Sequence, residues 1–235
     1  MAGSRNGPQL AAFVWLTLFC VTAILGGLVT STATVLSLSR RAAQQPGRPE
    51  LWVSGMLAAT FTMFPRTLLI TAVVAPELVR PLAATMLSAA LIAGAAAGIF
   101  ARIAGTSEDT SAVGTLHANP LDIRTAIQFA LILAAVLILA QALKEWMGAT
   151  GLYLLSAVSG VVEIDAVTLS LATMTANAEV AVPVAGAAIL VANIVNTLVK
   201  PAIAFAVAGR AVGIRLLLPV LLIVAVIAAQ IYALL

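Results

Sequence analysis

The chain has 235 residues, 62% of them hydrophobic and 9% charged, with a formal net charge of +3 and a mean hydropathy of +1.12. Soluble domains carry roughly a quarter charged residues, so this composition excludes a soluble fold and predicts an all-α, polytopic transmembrane helical bundle. The twelve Lys and Arg sit mostly at the ends of apolar segments rather than in a basic stripe among aromatics. That pattern excludes nucleic acid as a partner and makes the lipid bilayer the expected one.

About 20 mostly apolar residues cross a bilayer, and seven stretches of this chain qualify. The first, Leu10 to about Leu38, follows Arg5 and is longer than a signal-peptide core, with no cleavage site after it, so it reads as a retained span. It holds the single cysteine, Cys20, which excludes an intrachain disulfide and a thiolate metal cluster and reads as a small core residue. After the polar joint "SRRAAQQPGRPE" comes Leu51–Ala75, where "MFPRTLL" sets Arg66 directly behind Pro65. The third stretch, Pro81–Ala101, contains "GAAAG", whose Gly94 and Gly98 form a small-xxx-small face suited to helix packing or a homodimer.

The longest joint, Arg102 to Pro120, carries the only histidine, His117, which excludes paired-histidine haem ligation and H-E-x-x-H proteolysis. Four more stretches follow: Leu121–Leu143, Gly151–Thr175, Val182–Ala208 and Leu216–Leu235. No joint is long enough for a soluble catalytic domain, and no G-x-x-x-x-G-K-[ST] loop occurs. An ATP-driven pump is thereby excluded, and neither a cofactor nor an enzymatic activity is expected.

The chain also repeats itself. "GLVTSTATVLSLS" from Gly27 lies over "GVVEIDAVTLSLA" from Gly160, "RTLL" from Arg66 over "NTLV" from Asn196, and Arg80 over Arg210. The expected organisation is one membrane domain over 1–235, with a first repeat at 10–101, a linking helix at 119–145 and a second repeat at 146–235. Four crossings separate equivalent helices, which predicts that the repeats point the same way across the bilayer. Lys and Arg outside the spans then divide five against five between the two sides. The cluster Arg40, Arg41, Arg48 favours a cytoplasmic placement for its own loop.

Four ionisable residues fall inside the spans: Arg66, Glu163, Asp165 and Lys200. Each costs ~2.5–3.5 kcal/mol at a helix centre on insertion scales, so they must be paired, protonated or hydrated, and two acids against two bases suggests pairing. Positions 163 and 165 lie about 200° apart on a regular helix. Either that span is polar on two sides, or it unwinds near Ser159-Gly160, with a counterpart at Gly26-Gly27, as discontinuous transporter helices do. Thr168 shares the face of Asp165. In "VANIVNTLVKP", Asn193, Asn196 and Lys200 form one polar stripe, and Pro201 removes the helical donor of the Thr197 carbonyl. The Thr-rich run at 30–34 reads as packing and back-bonding to carbonyls.

Four segments carry a family likeness: "GLVTSTATVLSLSRRA", "NPLDIRTAIQFALILA", "GLYLLSAVSGVVEIDAVTLSLA" and "NTLVKPAIAFAVAG". Together they resemble the membrane domain of unknown function, DUF4010, found C-terminal to MgtC/SapB-like membrane domains. In that family acids stand where Glu163 and Asp165 stand, and N-T-x-x-K matches Asn196, Thr197 and Lys200. The resemblance implies a bacterial inner (cytoplasmic) membrane protein with an association to magnesium homeostasis and an MgtC-like domain as partner. The MgtC-like half is absent from this chain, as is a helix that precedes the first repeat in longer relatives. Either the true start lies upstream, or a second subunit supplies those contacts.

Two functions are then expected as alternatives. In one, the protein transports or conducts ions, coupled to protons or cations. Glu163, Asp165, Thr168, Asn193, Asn196, Lys200 and Arg66 line the pathway, and Asp165 and Glu163 ligate a metal if a cation binds. In the other, it is a non-transporting partner that stabilises another membrane complex, and its buried charges and amides tie helices together.

Overall fold

The computed structural model describes residues 7–45, 47–105 and 123–234. Arg5, His117 and the Asn119-Pro120 pair lie outside the described residues. Within them nine α-helices follow one another, and no strand occurs.

Helix α1 (Gly7–Gln44) is one run in name only. Thr30 is extended inside it, at φ −158° and ψ 118°. On a straight helix Phe19 and Leu38 would stand about 28 Å apart, yet both crowd Gly55, where a Cβ would lie 2.7 Å from the Phe19 ring and 3.2 Å from Leu38. The helix therefore folds back at Thr30. Its two arms lie against α2 (Pro49–Phe61), where the Phe19 and Trp52 rings meet edge to face at 5.9 Å.

Helix α2 stops at Phe61 because the ring of Pro65 conflicts with the carbonyl four residues earlier and supplies no donor to it. The chain resumes as α3 (Met63–Val74). Ala75, forced out of helical geometry by Pro76, sits at φ −141° ahead of a 3₁₀ turn, Pro76–Leu78, and α4 (Val79–Ala104). Gly105 ends α4 at φ +66°, a conformation that glycine adopts without a Cβ clash. Helix α5 (Ile123–Met147) occupies the place of the expected linking helix.

The expected fifth span is two short helices. α6 (Ala149–Val162) and α7 (Asp165–Ala176) are separated by Glu163, extended at φ −156° and ψ 138°. The β-branched sequence "VVEI" weakens helix continuity there. A straight α6–α7 rod would be about 40 Å long. Instead Lys144, at the end of α5, reaches Glu179, just beyond α7, at 3.5 Å. This pair also folds back.

Helix α8 (Val182–Ile203) widens past Pro201 into a π turn, Ala204–Ala208, and α9 (Arg210–Leu234) closes the bundle. Two contacts fix its direction. Arg215 pairs with Glu50 at 2.9 Å, and Gln230 donates to the Pro81 carbonyl at 3.1 Å. Helices α4 and α9 therefore run antiparallel, and Arg80 and Arg210, aligned in the sequence match, lie at opposite ends of the bundle. This overturns the expectation that the matched segments point the same way, and with it the even division of basic residues. The cause is the α6–α7 fold-back, which hydropathy alone reads as a crossing.

One apolar core, at the Glu50 end, joins Leu38, Trp52, Ala97 and Val212. A second, toward the Pro81 end, joins Leu78, Leu82, Leu171, Val180 and Ile227. Four described stretches are long and apolar enough to cross a membrane: Pro49–Val74, Pro76–Ala104, Val182–Ala208 and Arg210–Leu234. They leave Leu69, Val73, Leu91 and Leu218 exposed on the outer surface, as a lipid-facing wall requires. Trp146 and Tyr232, 82% and 89% exposed, sit at the Pro81 end, where amphipathic rings favour the headgroup level. Gly94 packs inside the chain, its Cβ position 3.3 Å from the Phe61 ring, whereas Gly98 faces open space.

Candidate functional site

The break in α6–α7 decides where the acids point. With Glu163 extended, the constraint of about 200° on a regular helix no longer applies, and both carboxylates reach one guanidinium. Arg66 Nη2 lies 3.0 Å from Asp165 Oδ2 and 3.4 Å from Glu163 Oε1. The side chains of Arg66, Glu163 and Asp165 are 13%, 19% and 15% exposed. Glu163 Oε1 also accepts from the Ile164 amide at 3.0 Å, and Asp165 stands in the first turn of α7, where the helix dipole favours an anion.

Unwinding also frees backbone groups, and the neighbouring helices take them up. The Ile164 amide would serve the Gly160 carbonyl in a continuous helix. Because it turns to Glu163 instead, Asn196 Nδ2 donates to that carbonyl at 2.9 Å and to Thr32 Oγ1 at 3.2 Å. Arg66 Nη1 does the equivalent for Gly27, donating to its carbonyl at 3.5 Å. The two arrangements correspond. In the sequence match Gly27 lies over Gly160, Thr30 over Glu163, Thr32 over Asp165 and Arg66 over Asn196. Arg66 thus binds the Gly27 carbonyl and Glu163, while Asn196 binds the Gly160 carbonyl and Thr32. The breaks themselves, at Thr30 and Glu163, are both extended and occupy matched positions.

Lys200 does not complete a second ion pair. It is 2% exposed, and its Nζ contacts Met63 Sδ at 2.8 Å; no carboxylate among the described residues lies within ion-pairing distance. It remains in electrostatic reach of Glu163 and Arg66. The simple pairing of two acids with two bases is thus replaced by one base holding both acids. Asn193 donates within its own helix to Ile189 at 2.8 Å, and Thr168 is fully buried one turn beyond Asp165. Among the described residues, Asp165 Oδ1, Thr168 Oγ1, Asn193 Oδ1 and Asn196 Oδ1 are buried without a hydrogen-bond partner.

Of the residues singled out from the sequence, Arg66, Glu163 and Asp165 meet directly, and Asn196 holds the neighbouring break. Lys200 borders the cluster, while Asn193 and Thr168 remain within their own helices. The carbonyls of Gly27 and Gly160, Thr32 and Met63 also belong to the site; the glycines were expected only as places of unwinding and Thr32 only as packing, and Met63 carried no expectation. The matched glycines were the available signal, since each leads into a break. Thr34 Oγ1 back-bonds to the Thr30 carbonyl at 2.9 Å. No group of three or more His, Cys, Asp or Glu side chains suited to a metal occurs among the described residues.

A helical bundle with an apolar outer wall and a buried charge cluster at two helix breaks defines a membrane protein. Its family is given by comparison: the model for Domain of unknown function (DUF4010) matches residues 18–209, and the chain belongs to that family. An uncharacterized protein of Aquifex aeolicus (strain VF5) is 30% identical over 182 residues, covering 77% of this chain and 78% of its own. No solved structure matches.

Proposed function

We propose that the protein is a secondary transporter of the bacterial inner membrane that exchanges a cation for a proton at the Arg66–Glu163–Asp165 cluster. In this reading the two fold-backs are re-entrant hairpins whose tips, at Thr30 and Glu163, meet inside the bilayer. The matched segments form an inverted repeat around them. The observation that carries the reading is the reciprocal bonding of those tips. Irregular backbone at membrane depth is tolerated only where protein or a polar cavity satisfies it, and inverted repeats with discontinuous helices are a recurring transporter design.

The exchange follows from charge. Arg66 neutralises one of the two carboxylates, leaving one negative charge in a medium of low dielectric. Either the Lys200 ammonium or an incoming cation balances it, and both together leave an excess positive charge. Cation entry therefore expels the Lys200 proton to water, and cation release restores it. Solute and proton move without a change of covalent bonds, so the reading assigns no enzymatic activity. Arg40, Arg41, Arg48, Arg102, Arg210 and Arg215 gather at the Glu50 end against Arg80 and Lys144 at the other, which supports a cytoplasmic Glu50 end.

The test is proton movement in reconstituted vesicles loaded with a pH dye and challenged with a panel of inorganic and organic cation salts. Wild type alkalinises the lumen on addition of its cation, and Asp165→Asn, which keeps the shape of the site, does not. Unchanged exchange in Asp165→Asn refutes the mechanism.

A second reading has an observation of its own: Arg66 already holds both acids, as a purely structural tie between helices would. The protein would then stabilise a partner complex, an MgtC-like membrane domain or a second copy through the Gly98 face. In that case Asp165→Asn changes assembly and thermal stability, and reconstituted wild type moves no cation.

A further inference from the structure

A cavity of about 340 Å³ lies between α3 and α7, walled by Leu69, Ile70, Val73, Val74, Leu169 and Asp165. Its size falls at the low end of small-molecule sites, roughly 300–1,000 Å³. Asp165 is its one ionisable wall; the other five side chains are aliphatic. Leu69 and Val73 are 65% and 74% exposed and belong to the stretch Pro49–Val74, which is apolar enough to cross a membrane. The cavity thus borders the lipid-facing surface on one side and reaches the charge cluster on the other. It occupies the half of the bundle toward the Pro81 end, where α3 finishes, whereas Lys200 lies on the last turn of α8, toward the Glu50 end.

We infer that this groove admits a lipophilic cation from the bilayer, which seats its positive centre against Asp165 and its apolar body along Ile70, Val74 and Leu169. The inference rests on the exchange reading above and narrows its substrate to organic cations with a substantial apolar surface. Charge complementarity selects the occupant. One guanidinium faces two carboxylates, and Arg66 takes Asp165 Oδ2 while Asp165 Oδ1 has no partner among the described residues. The aliphatic walls select the route. A hydrated inorganic ion would have to shed its water against side chains that return no hydrogen bond, whereas an apolar body gains about 25 cal/mol per Å² of surface removed from water. A neutral lipid chain would fill the walls and leave the carboxylate unanswered.

The experiment uses the full chain in phosphatidylcholine nanodiscs and radiolabelled tetraphenylphosphonium, with empty nanodiscs as background. Saturable binding is expected, weakened at least tenfold by Asp165→Asn and likewise by Leu169→Trp, which fills the groove without touching the charges. Leu91→Trp, on the lipid face of α4, leaves it unaltered. If Asp165→Asn fails to fold, Leu169→Trp carries the test. Uncharged triphenylphosphine oxide competing as well as the cation would mark an acyl-chain groove and overturn the inference. So would a wild-type dimer that binds no tetraphenylphosphonium and that Val73→Trp dissociates, since a second copy would then cover the groove. Wild type that exchanges inorganic cations for protons but binds no tetraphenylphosphonium refutes the groove alone. Failure of every cation to move a proton refutes the exchange reading itself.

Discussion

Arg66 is the residue on which the buried charges depend. Replacing one member of a buried ion pair strands the other, at a cost of about 3–5 kcal/mol, and here two carboxylates would be stranded. Arg66→Met should therefore lower the thermal midpoint in detergent sharply, while Arg66→Met combined with Glu163→Gln and Asp165→Asn recovers most of the loss. A triple variant no more stable than Arg66→Met would show that the carboxylates do not depend on the guanidinium. The need for compensation was readable from the sequence, because four ionisable residues stand among apolar ones. Which groups compensate which was not readable. Pairing depends on where Glu163 turns the chain, and that turn redirects Asp165 to the guanidinium already facing Glu163, leaving Lys200 with a thioether.

The helix breaks are set by close backbone approach as well as by local sequence. A Cβ on Gly27 would sit 2.7 Å from the Ala59 carbonyl oxygen, and one on Gly160 would sit 2.6 Å from that of Ala192. Both glycines let a hairpin arm press against its crossing helix just ahead of the break. Gly27→Ala and Gly160→Ala should each destabilise by about 1–3 kcal/mol through overpacking. Gly98→Ala, with nothing within 4 Å of its Cβ position, should instead leave stability unchanged or raise it by up to about 1 kcal/mol through helix propensity. Melting curves of the three variants decide this, and equal behaviour at Gly27 and Gly98 would contradict the packing described. The sequence leaves two expectations for this span, polar on two sides or unwound near Ser159-Gly160, and the chain does unwind. The extended residue is Glu163, three positions on, because the glycine serves the contact and the β-branched run supplies the break.

At the scale of the whole molecule, the helical membrane class and most element positions were legible, because hydropathy and proline placement act locally. The direction of the segments was not. A helix pair that folds back has the same composition as one straight helix, and only contacts such as Arg215 with Glu50 and Gln230 with Pro81 separate the two. One hint was present: Leu10–Leu38 is longer than the roughly 20 residues of a span. The meeting of the tips at Thr30 and Glu163 requires that α6–α7 fold back rather than cross, which also fixes the sides of the joints around it. Cysteine labelling in a Cys20→Ser background tests this directly, with a membrane-impermeant maleimide applied to single replacements at Gly47, Glu77, Asn177 and Ala211, all exposed. The account predicts that Gly47 and Ala211 label from one side of the membrane and Glu77 and Asn177 from the other. Labelling that instead groups Gly47 with Asn177 and Glu77 with Ala211 would mean that α6–α7 crosses straight and would contradict it.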